Sequence, residues 1–434
     1  MKWHTEAGLT AFGGLIALAA AIGIGRFVYT PILPAMMSGL GLSKSAAGVV
    51  ASANFLGYLL GALLAAWPNL PGSRRAWLLS ALAVSAITTA AMGLASTMPL
   101  FLTLRFIGGG TSAIVLVFAS AIVLERQAPS ALHFAGVGSG IAVSAVLVAL
   151  LLHCAQGWRS LWLASGGLCL VALLAVATFI RDAAAPSRHT VQSGSRTTNP
   201  ALLRLVAAYG LFGFGYVITA TFLVAIVRTT PSIRALEPVI WVVFGLAAVP
   251  SVALWARIAT RLGIPATFAI ACVVEACGVL ASVAWPTAAG AFASAILVGG
   301  TFMGLTALGL VRARALAAGD PRRVLALMTG AFGVGQIVGP SFAGMLSDRL
   351  GSFAVPSLAA VAALLIAAIL EGASCTAPAW ATFMAVQQSC SSKISAPFTP
   401  ETAADSPAAP RSATAENSAA SSPPTRTRTA APHP

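Results

Sequence analysis

The sequence is poor in charged residues, in acidic residues and in tyrosine. Only 8% of its 434 residues are charged, Asp and Glu together number 11, and there are 4 tyrosines. A soluble domain carries about 25% charged residues, so this composition excludes an ordinary soluble protein. With 58% hydrophobic residues, the chain is typical of a protein that crosses the lipid bilayer many times.

Several motifs that would indicate other functions are also missing. No Gly-x-x-x-x-Gly-Lys-Ser/Thr sequence is present to bind ATP phosphates, so we do not expect primary pumping by this chain alone. The six cysteines have no metal-ligand spacing. The glycine cluster 136–140 lies inside an apolar run and lacks the strand and turn of a nucleophile elbow. We therefore expect no enzyme, no metal and no cofactor.

The formal charge of +14 raises the alternative of a nucleic-acid-binding protein. Its basic residues, however, are scattered between apolar segments and form no contiguous patch with interleaved aromatics. Membrane topology accounts for them better, and we expect no nucleic-acid partner.

The chain contains apolar segments long enough to cross a bilayer as helices, separated by turn signals such as Gly319-Asp320-Pro321. They predict twelve spans, at 8–30, 45–66, 76–97, 99–124, 133–153, 158–180, 201–228, 238–256, 264–285, 288–312, 324–346 and 352–372. The fold class is therefore an all-α membrane protein.

The basic residues of the loops predict the orientation. If the N-terminus is cytoplasmic, most Lys and Arg residues of the loops lie on the cytoplasmic side. Those on the opposite side are Lys44, Arg159, Arg228, Arg234 and Arg349. Both termini are thus expected in the cytoplasm.

The spans divide into two parallel six-helix repeats. Glycine motifs recur in the same order, with 23–25 matching 213–215, 107–109 matching 298–300, and 136–138 matching 333–335. The predicted organisation is an N-terminal half at 1–180, a cytoplasmic linker at 181–200 and a C-terminal half at 201–372. A disordered cytoplasmic tail is predicted at 373–434, where the composition turns to Ala, Ser, Thr and Pro.

These features resemble the major facilitator superfamily over residues 8–372. The stretches 25–34, 157–159 and 332–340 resemble its YbfB/YjiJ-type branch, and 105–109 resembles the superfamily's fourth-helix pattern. One departure is Ala65, which stands where the superfamily usually has an aspartate before its basic pair.

The resemblance implies a secondary active transporter in a bacterial inner membrane, monomeric and working by alternating access. It implies a small-molecule substrate, for which an organic anion is one candidate, and coupling to protons. The alternative is a sensor or scaffold that retained the fold without transporting.

Two arginines lie inside predicted spans at similar depths, Arg26 in the first and Arg105 in the fourth. A cation at that depth costs at least about 2.5–3.5 kcal/mol unless it is paired or wet. One hypothesis is that both guanidinium groups clamp an anionic substrate. The other is that each arginine binds backbone carbonyls and fixes helix packing.

Glu275 lies near the middle of the ninth predicted span, where burial favours its neutral acid form. Such a carboxyl group is what proton coupling requires. The alternative is a protonated side chain that is hydrogen-bonded within the bundle.

Further substrate-binding or coupling candidates are polar or aromatic side chains on predicted cavity helices: Tyr29, Asn54, Tyr58, Tyr209, Tyr216, Trp241 and Gln336. Helix packing is the alternative role for each of them. Pro31 and Pro34 predict a break in the first helix near Arg26.

Overall fold

The computed structural model describes residues 2–67, 70–180, 199–317 and 321–373, and every regular element in these ranges is a helix. The α-helices are α1 (Lys2–Leu18), α2 (Tyr29–Leu40), α3 (Lys44–Ala65), α4 (Arg74–Ala91), α5 (Met98–Glu125), α6 (Ser130–His153), α7 (Trp158–Phe179), α8 (Pro200–Thr229), α9 (Glu237–Ala248), α10 (Ser251–Leu262), α11 (Ile264–Ala284), α12 (Ala288–Leu316), α13 (Pro321–Leu350) and α14 (Ala354–Gly372).

The predicted all-α membrane fold is confirmed. Within the described ranges, 11 helical segments are long and apolar enough to cross a membrane. The helix of the predicted third span, 76–97, is not among them, because the 18 residues of α4 include Arg74 and Arg75, which lower its mean hydropathy. Helix α4 packs against α5 and α7.

The first span is longer than predicted, since helical structure from Glu6 continues to Leu40 rather than ending at residue 30. It contains a π-helical turn at Ala19–Ile24 and an irregular turn at residues 25–28. Pro31 lies in the first turn of α2, where a backbone N–H would have no hydrogen-bond partner within the helix, so its absence in proline is tolerated. The prolines thus follow a break beside Arg26 without ending the span.

The predicted eighth span, 238–256, is wrong as a single helix. Helix α9 ends at Ala248 and α10 begins at Ser251, with Pro250 between them. Proline lacks an N–H and clashes with the preceding turn, which explains the interruption.

Close helix packing depends on glycine at the contact between α3 and α5. A methyl group at Gly57 would overlap the carbonyl group of Phe106, and one at Gly61 would overlap Gly110. The small residues four apart at 57 and 61 thus let the two helix backbones approach closely.

One end of the bundle, which we call the Asp348 end, is joined by hydrogen bonds between α13 and α3. The Asp348 carboxylate accepts from the backbone N–H of Lys44 at 3.0 Å and of Ser45 at 2.7 Å. At the same end, Arg228 Nη2 donates to Ser38 Oγ at 3.1 Å. A carboxylate that receives the free N–H groups of a helix N-terminus is a stable arrangement.

Two contacts join residues that are 190 positions apart, the offset between the first pair of repeated glycine motifs. Thr30 Oγ1 donates to the Ala220 carbonyl at 2.7 Å, and Ser38 contacts Arg228. Such contacts are expected where equivalent helices of two repeats face each other, but the division into two halves stays a prediction. Positions 181–198 of the predicted linker and 374–434 of the predicted tail lie outside the described residues.

Candidate functional site

Arg105 is bound to the break in the first span. Its side chain is 3% exposed, and Nη1 and Nη2 donate at 3.1 Å to the carbonyls of Gly25 and Arg26. These carbonyls belong to the irregular turn, and in an apolar environment they need a donor from elsewhere. In this conformation, Arg105 therefore acts as the packing hypothesis predicts.

Tyr29 and Asn54 surround Arg105. The guanidinium carbon of Arg105 lies 4.9 Å from the centre of the Tyr29 ring, and the Tyr29 hydroxyl donates to the Ala47 carbonyl at 2.8 Å. Asn54 Nδ2 donates to the Arg105 backbone carbonyl at 2.9 Å. Both residues hold α3 and α5 against the break.

Arg26 is buried but has free donors. It is 5% exposed, and its Nε and Nη2 atoms have no hydrogen-bond partner. The guanidinium carbon lies 4.3 Å from the centre of the Tyr58 ring and 4.6 Å from that of Phe55. Since Nε and Nη2 form one edge of the guanidinium group, they match the two oxygens of a carboxylate.

No carboxylate of the protein takes this position within the described ranges. The ion pairs found there are Arg74 with Glu125 and Arg228 with Glu237. The Tyr58 and Phe55 rings stabilise the cation of Arg26.

Next to Arg26 lies an aromatic cluster that begins at Phe27, whose ring centre is 5.3 Å from the guanidinium carbon. The Phe27 ring contacts Phe302 at 5.8 Å between centroids, and Phe302 stacks on Tyr216 at 5.7 Å. Gln336 Nε2 donates to the Tyr216 hydroxyl. The Oε1 atom of Gln336 has no partner, although the residue is 0% exposed. Arg26 and Gln336 thus both adjoin one aromatic cluster.

Tyr209 and Trp241 lie at the edges of this cluster. The Tyr209 hydroxyl donates to the Thr306 carbonyl at 3.2 Å, which satisfies its polar group. Trp241 stacks on Phe244, which contacts Phe302, and the Trp241 Nε1 donor has no partner.

Glu275 lies between α11 and α12 and is 0% exposed. Its Oε1 atom accepts from Thr301 Oγ1 at 3.1 Å, and Oε2 has no partner. Thr301 precedes Phe302, so the carboxyl group adjoins the aromatic cluster without lining it. An ionised carboxylate with a single hydrogen bond at this depth is costly, which favours the neutral form.

The sequence reasoning missed the aromatic residues that connect these candidates, above all Phe302. They are phenylalanines in apolar helices, and a chain with 20 phenylalanines offers no local signal that selects them. Phe27 and Phe55 were identifiable only by their closeness to Arg26 and Asn54.

Two cavities open near the Asp348 end and share Arg228 and Arg234 in their lining. The first, of about 420 Å³, extends to Pro31 and Trp241. Glu237 also lines this cavity and pairs with Arg228. The cavity therefore connects a surface of both charges with the edge of the aromatic cluster.

Comparison with known proteins agrees with this architecture. Residues 18–372 match the family model described as "Uncharacterised MFS-type transporter YbfB". The nucleoside transporter NupG is similar in structure, with a TM-score of 0.63 at 16% identity, over 87% of this chain and 100% of that one. A bacterial homolog of the human lysosomal transporter Spinster, inward-facing and occupied, gives 0.63 at 14%, over 85% and 96%.

Proposed function

This chain belongs to the YbfB-type branch of the major facilitator superfamily, and on that premise we propose that it is a secondary active transporter of small organic anions. As a member of a transporter family it is a multi-pass membrane protein and not an enzyme. The proposed location is the bacterial inner membrane, and the proposed coupling ion is the proton.

The observation that supports an anionic substrate is the free edge of the Arg26 guanidinium group. A buried guanidinium group with two unpartnered donors is costly to maintain without a ligand. A carboxylate would accept from Nε and Nη2 together and neutralise the charge. Arg105 supports this site by holding the turn that carries Arg26.

Alternating access is supported by the hydrogen bonds of the Asp348 end. In the predicted orientation this end faces the periplasm, because the basic loops lie at the opposite end. The conformation would then keep α3 and α13 joined on the periplasmic side, beside the two cavities that open there. Release or uptake there requires α13 and α3 to separate.

Glu275 is the proposed proton carrier. Its buried carboxyl group adjoins the aromatic cluster through Thr301, so a movement of α12 during transport would change the access of water to it. We expect Glu275→Gln, which keeps a hydrogen-bond acceptor but cannot ionise, to exchange substrate at equilibrium. Uptake driven by a pH gradient should be lost. Gradient-driven uptake at the wild-type rate would contradict the assignment of Glu275.

Counterflow in proteoliposomes tests the transport of organic anions. Vesicles loaded with an unlabelled organic acid should accumulate the same labelled acid when they contain the wild-type protein. Arg26→Gln should abolish accumulation, whereas the exposed control Arg257→Gln should not. Absence of counterflow with every organic acid tested would contradict the proposal and favour the non-transporting scaffold. Counterflow at the wild-type rate in Arg26→Gln would contradict the role of Arg26.

A further inference from the structure

We propose that the second cavity at the Asp348 end is a binding site for a phosphate group, separate from the substrate site at Arg26. The cavity has a volume of about 400 Å³, within the range of pockets that bind small molecules. Its lining comes from α2, α3, α8, the turn at residues 231–236 and Phe353. Arg26 is not among the residues that line it, so the site can exist whether or not Arg26 binds a substrate.

Three cations line this cavity, namely Lys44, Arg228 and Arg234. Its lining, as far as the described residues form it, contains no carboxylate. Glu237 lines the first cavity instead, where it is paired with Arg228 and also attracts Arg234. Lys44 and Arg234 take part in no ion pair within the described ranges. The cavity thus contains two cations that are not bound to a carboxylate.

Asp348 lies beside Lys44 without pairing with its ammonium group. The carboxylate of Asp348 accepts from the backbone N–H of Lys44 at 3.0 Å. The Lys44 Nζ atom donates to the Ser347 carbonyl at 3.2 Å, which uses one of its three donors. The three cations of the cavity therefore outnumber Glu237 and Asp348, and the excess positive charge attracts anions.

The arrangement of the free cations suits a phosphate group better than a carboxylate. Lys44 begins α3 and Arg234 lies in the turn before α9, so the two charges come from different elements. A phosphate group has at least three acceptor oxygens that point in different directions and carries up to about two negative charges. A carboxylate has two oxygens in one plane and matches the edge of a single guanidinium group.

Apolar side chains form another part of the wall, among them Met37, Leu42 and Phe353. The Lys44 ammonium lies 5.1 Å from the centre of the Phe353 ring, so charge and apolar surface adjoin. A phosphate group can reach such a cavity from solution or as the headgroup of an anionic lipid. Both sources offer the same chemistry, and the experiment separates them.

Protection of a cysteine in the cavity tests this inference. Thr229 lines the cavity and is exposed, so Thr229→Cys, in a background without the native cysteines, should react with the neutral reagent N-ethylmaleimide. The purified protein is measured in detergent without phosphate, and sodium chloride keeps the ionic strength equal. We expect inorganic phosphate or added phosphatidylglycerol to slow the reaction several-fold. Benzoate and diacylglycerol, which lack a phosphate group, should slow it much less.

The probe that protects identifies the source of the phosphate group. Protection by inorganic phosphate supports a site open to soluble phosphates, and protection by phosphatidylglycerol alone supports a lipid headgroup site. Protection by neither would overturn the inference. Benzoate that protects as well as inorganic phosphate, or diacylglycerol that protects as well as phosphatidylglycerol, would also overturn it.

Variants of the two free cations test whether they hold the phosphate group. Lys44→Gln combined with Arg234→Gln should remove the protection, and Arg234→Gln alone, at an exposed side chain, should weaken it. Arg349→Gln is the control, because Arg349 is an exposed arginine of the same end that lines neither cavity. Protection that persists unchanged in both cation variants, or that is lost equally in Arg349→Gln, would overturn the inference.

Arg26→Gln separates this site from the proposed function. Protection of Thr229→Cys should be the same with and without Arg26→Gln. Loss of protection in folded Arg26→Gln would overturn the second site, because the effect of phosphate would then arise at Arg26. Absence of counterflow with every organic acid, while the protection is intact, would contradict the proposed function and leave the phosphate site standing.

Discussion

The two intramembrane arginines have different surroundings although they lie side by side. Both terminal nitrogens of Arg105 donate hydrogen bonds to the carbonyls of the irregular turn. Arg26, whose own carbonyl is one of these acceptors, keeps an edge of its guanidinium group free. One arginine therefore stabilises the turn, and the other is presented by it.

Replacing Arg105 should destabilise the protein more than a surface change. Arg105→Gln leaves buried carbonyls in the turn without donors, and each such group costs about 1–3 kcal/mol. We expect a clearly lower thermal unfolding temperature in detergent together with loss of transport. Arg257→Gln is the matched control, because Arg257 is exposed on α10. Equal unfolding temperatures for the Arg105 and Arg257 variants would contradict the structural role of Arg105.

At this scale the sequence located the charges but did not assign their roles. The apolar runs around Arg26 and Arg105 placed both at similar depths, and the structure brings them together. Which arginine binds the backbone depends on the direction of the freed carbonyls, which no spacing encodes. Phe302 was missed because its importance comes from contacts with Phe27 and Tyr216 on other helices.

At the level of helices, the contact between α3 and α13 is the feature most directly tied to alternating access. Besides the bonds of Asp348, Ser52 Oγ donates to the Ile337 carbonyl at 2.6 Å and lies 2.8 Å from Ser341 Oγ. If transport separates α3 from α13, these hydrogen bonds must break and be replaced by others. In this conformation the N-terminus of α3 is stabilised by a residue of α13.

Removing the Asp348 carboxylate should favour opening of this end. In Asp348→Ala, the N–H groups of Lys44 and Ser45 lose their acceptor. A cysteine at Ser341, in a background without the native cysteines, should then react several-fold faster with a maleimide. Arg349→Ala, a change at the adjacent exposed residue, is the control. An unchanged labelling rate in Asp348→Ala would contradict the role of this contact.

Helix bounds were predictable where apolar length alone decides them, as for α6 and α7. The sequence also predicted the break beside Arg26. It did not predict that helical structure continues to Leu40, because the predicted span ends just before Pro31, whereas Pro31 lies in a first helical turn, where proline is tolerated. The interruption at Pro250 was missed because the residues around it are apolar enough for one continuous span.

For the whole molecule, the superfamily fold followed from twelve apolar segments and repeated glycines, and the family match confirms it. Orientation is a property of the protein in its membrane, and it rests on the distribution of arginine and lysine. Helix contacts alone cannot supply it, because the same bundle could be inserted either way.

Cys154 provides a test of that orientation. It is an exposed free cysteine directly after α6. Its neighbour His153 lines the first cavity near the Asp348 end. In the predicted orientation it faces the periplasm, so a membrane-impermeant maleimide should label it in spheroplasts. Cys154→Ser should remove that label. Labelling of Cys154 only in inside-out vesicles would show that the orientation is the reverse of the predicted one.

The central claim is that the free edge of Arg26 holds the carboxylate of the substrate. Calorimetric titration of a carboxylate into the wild type, Arg26→Lys and Arg26→Gln tests it most directly. Lysine keeps the charge but not the planar fork, so Arg26→Lys should bind roughly tenfold more weakly, and Arg26→Gln should show no binding. Wild-type affinity in Arg26→Gln, with the protein folded, would contradict the claim.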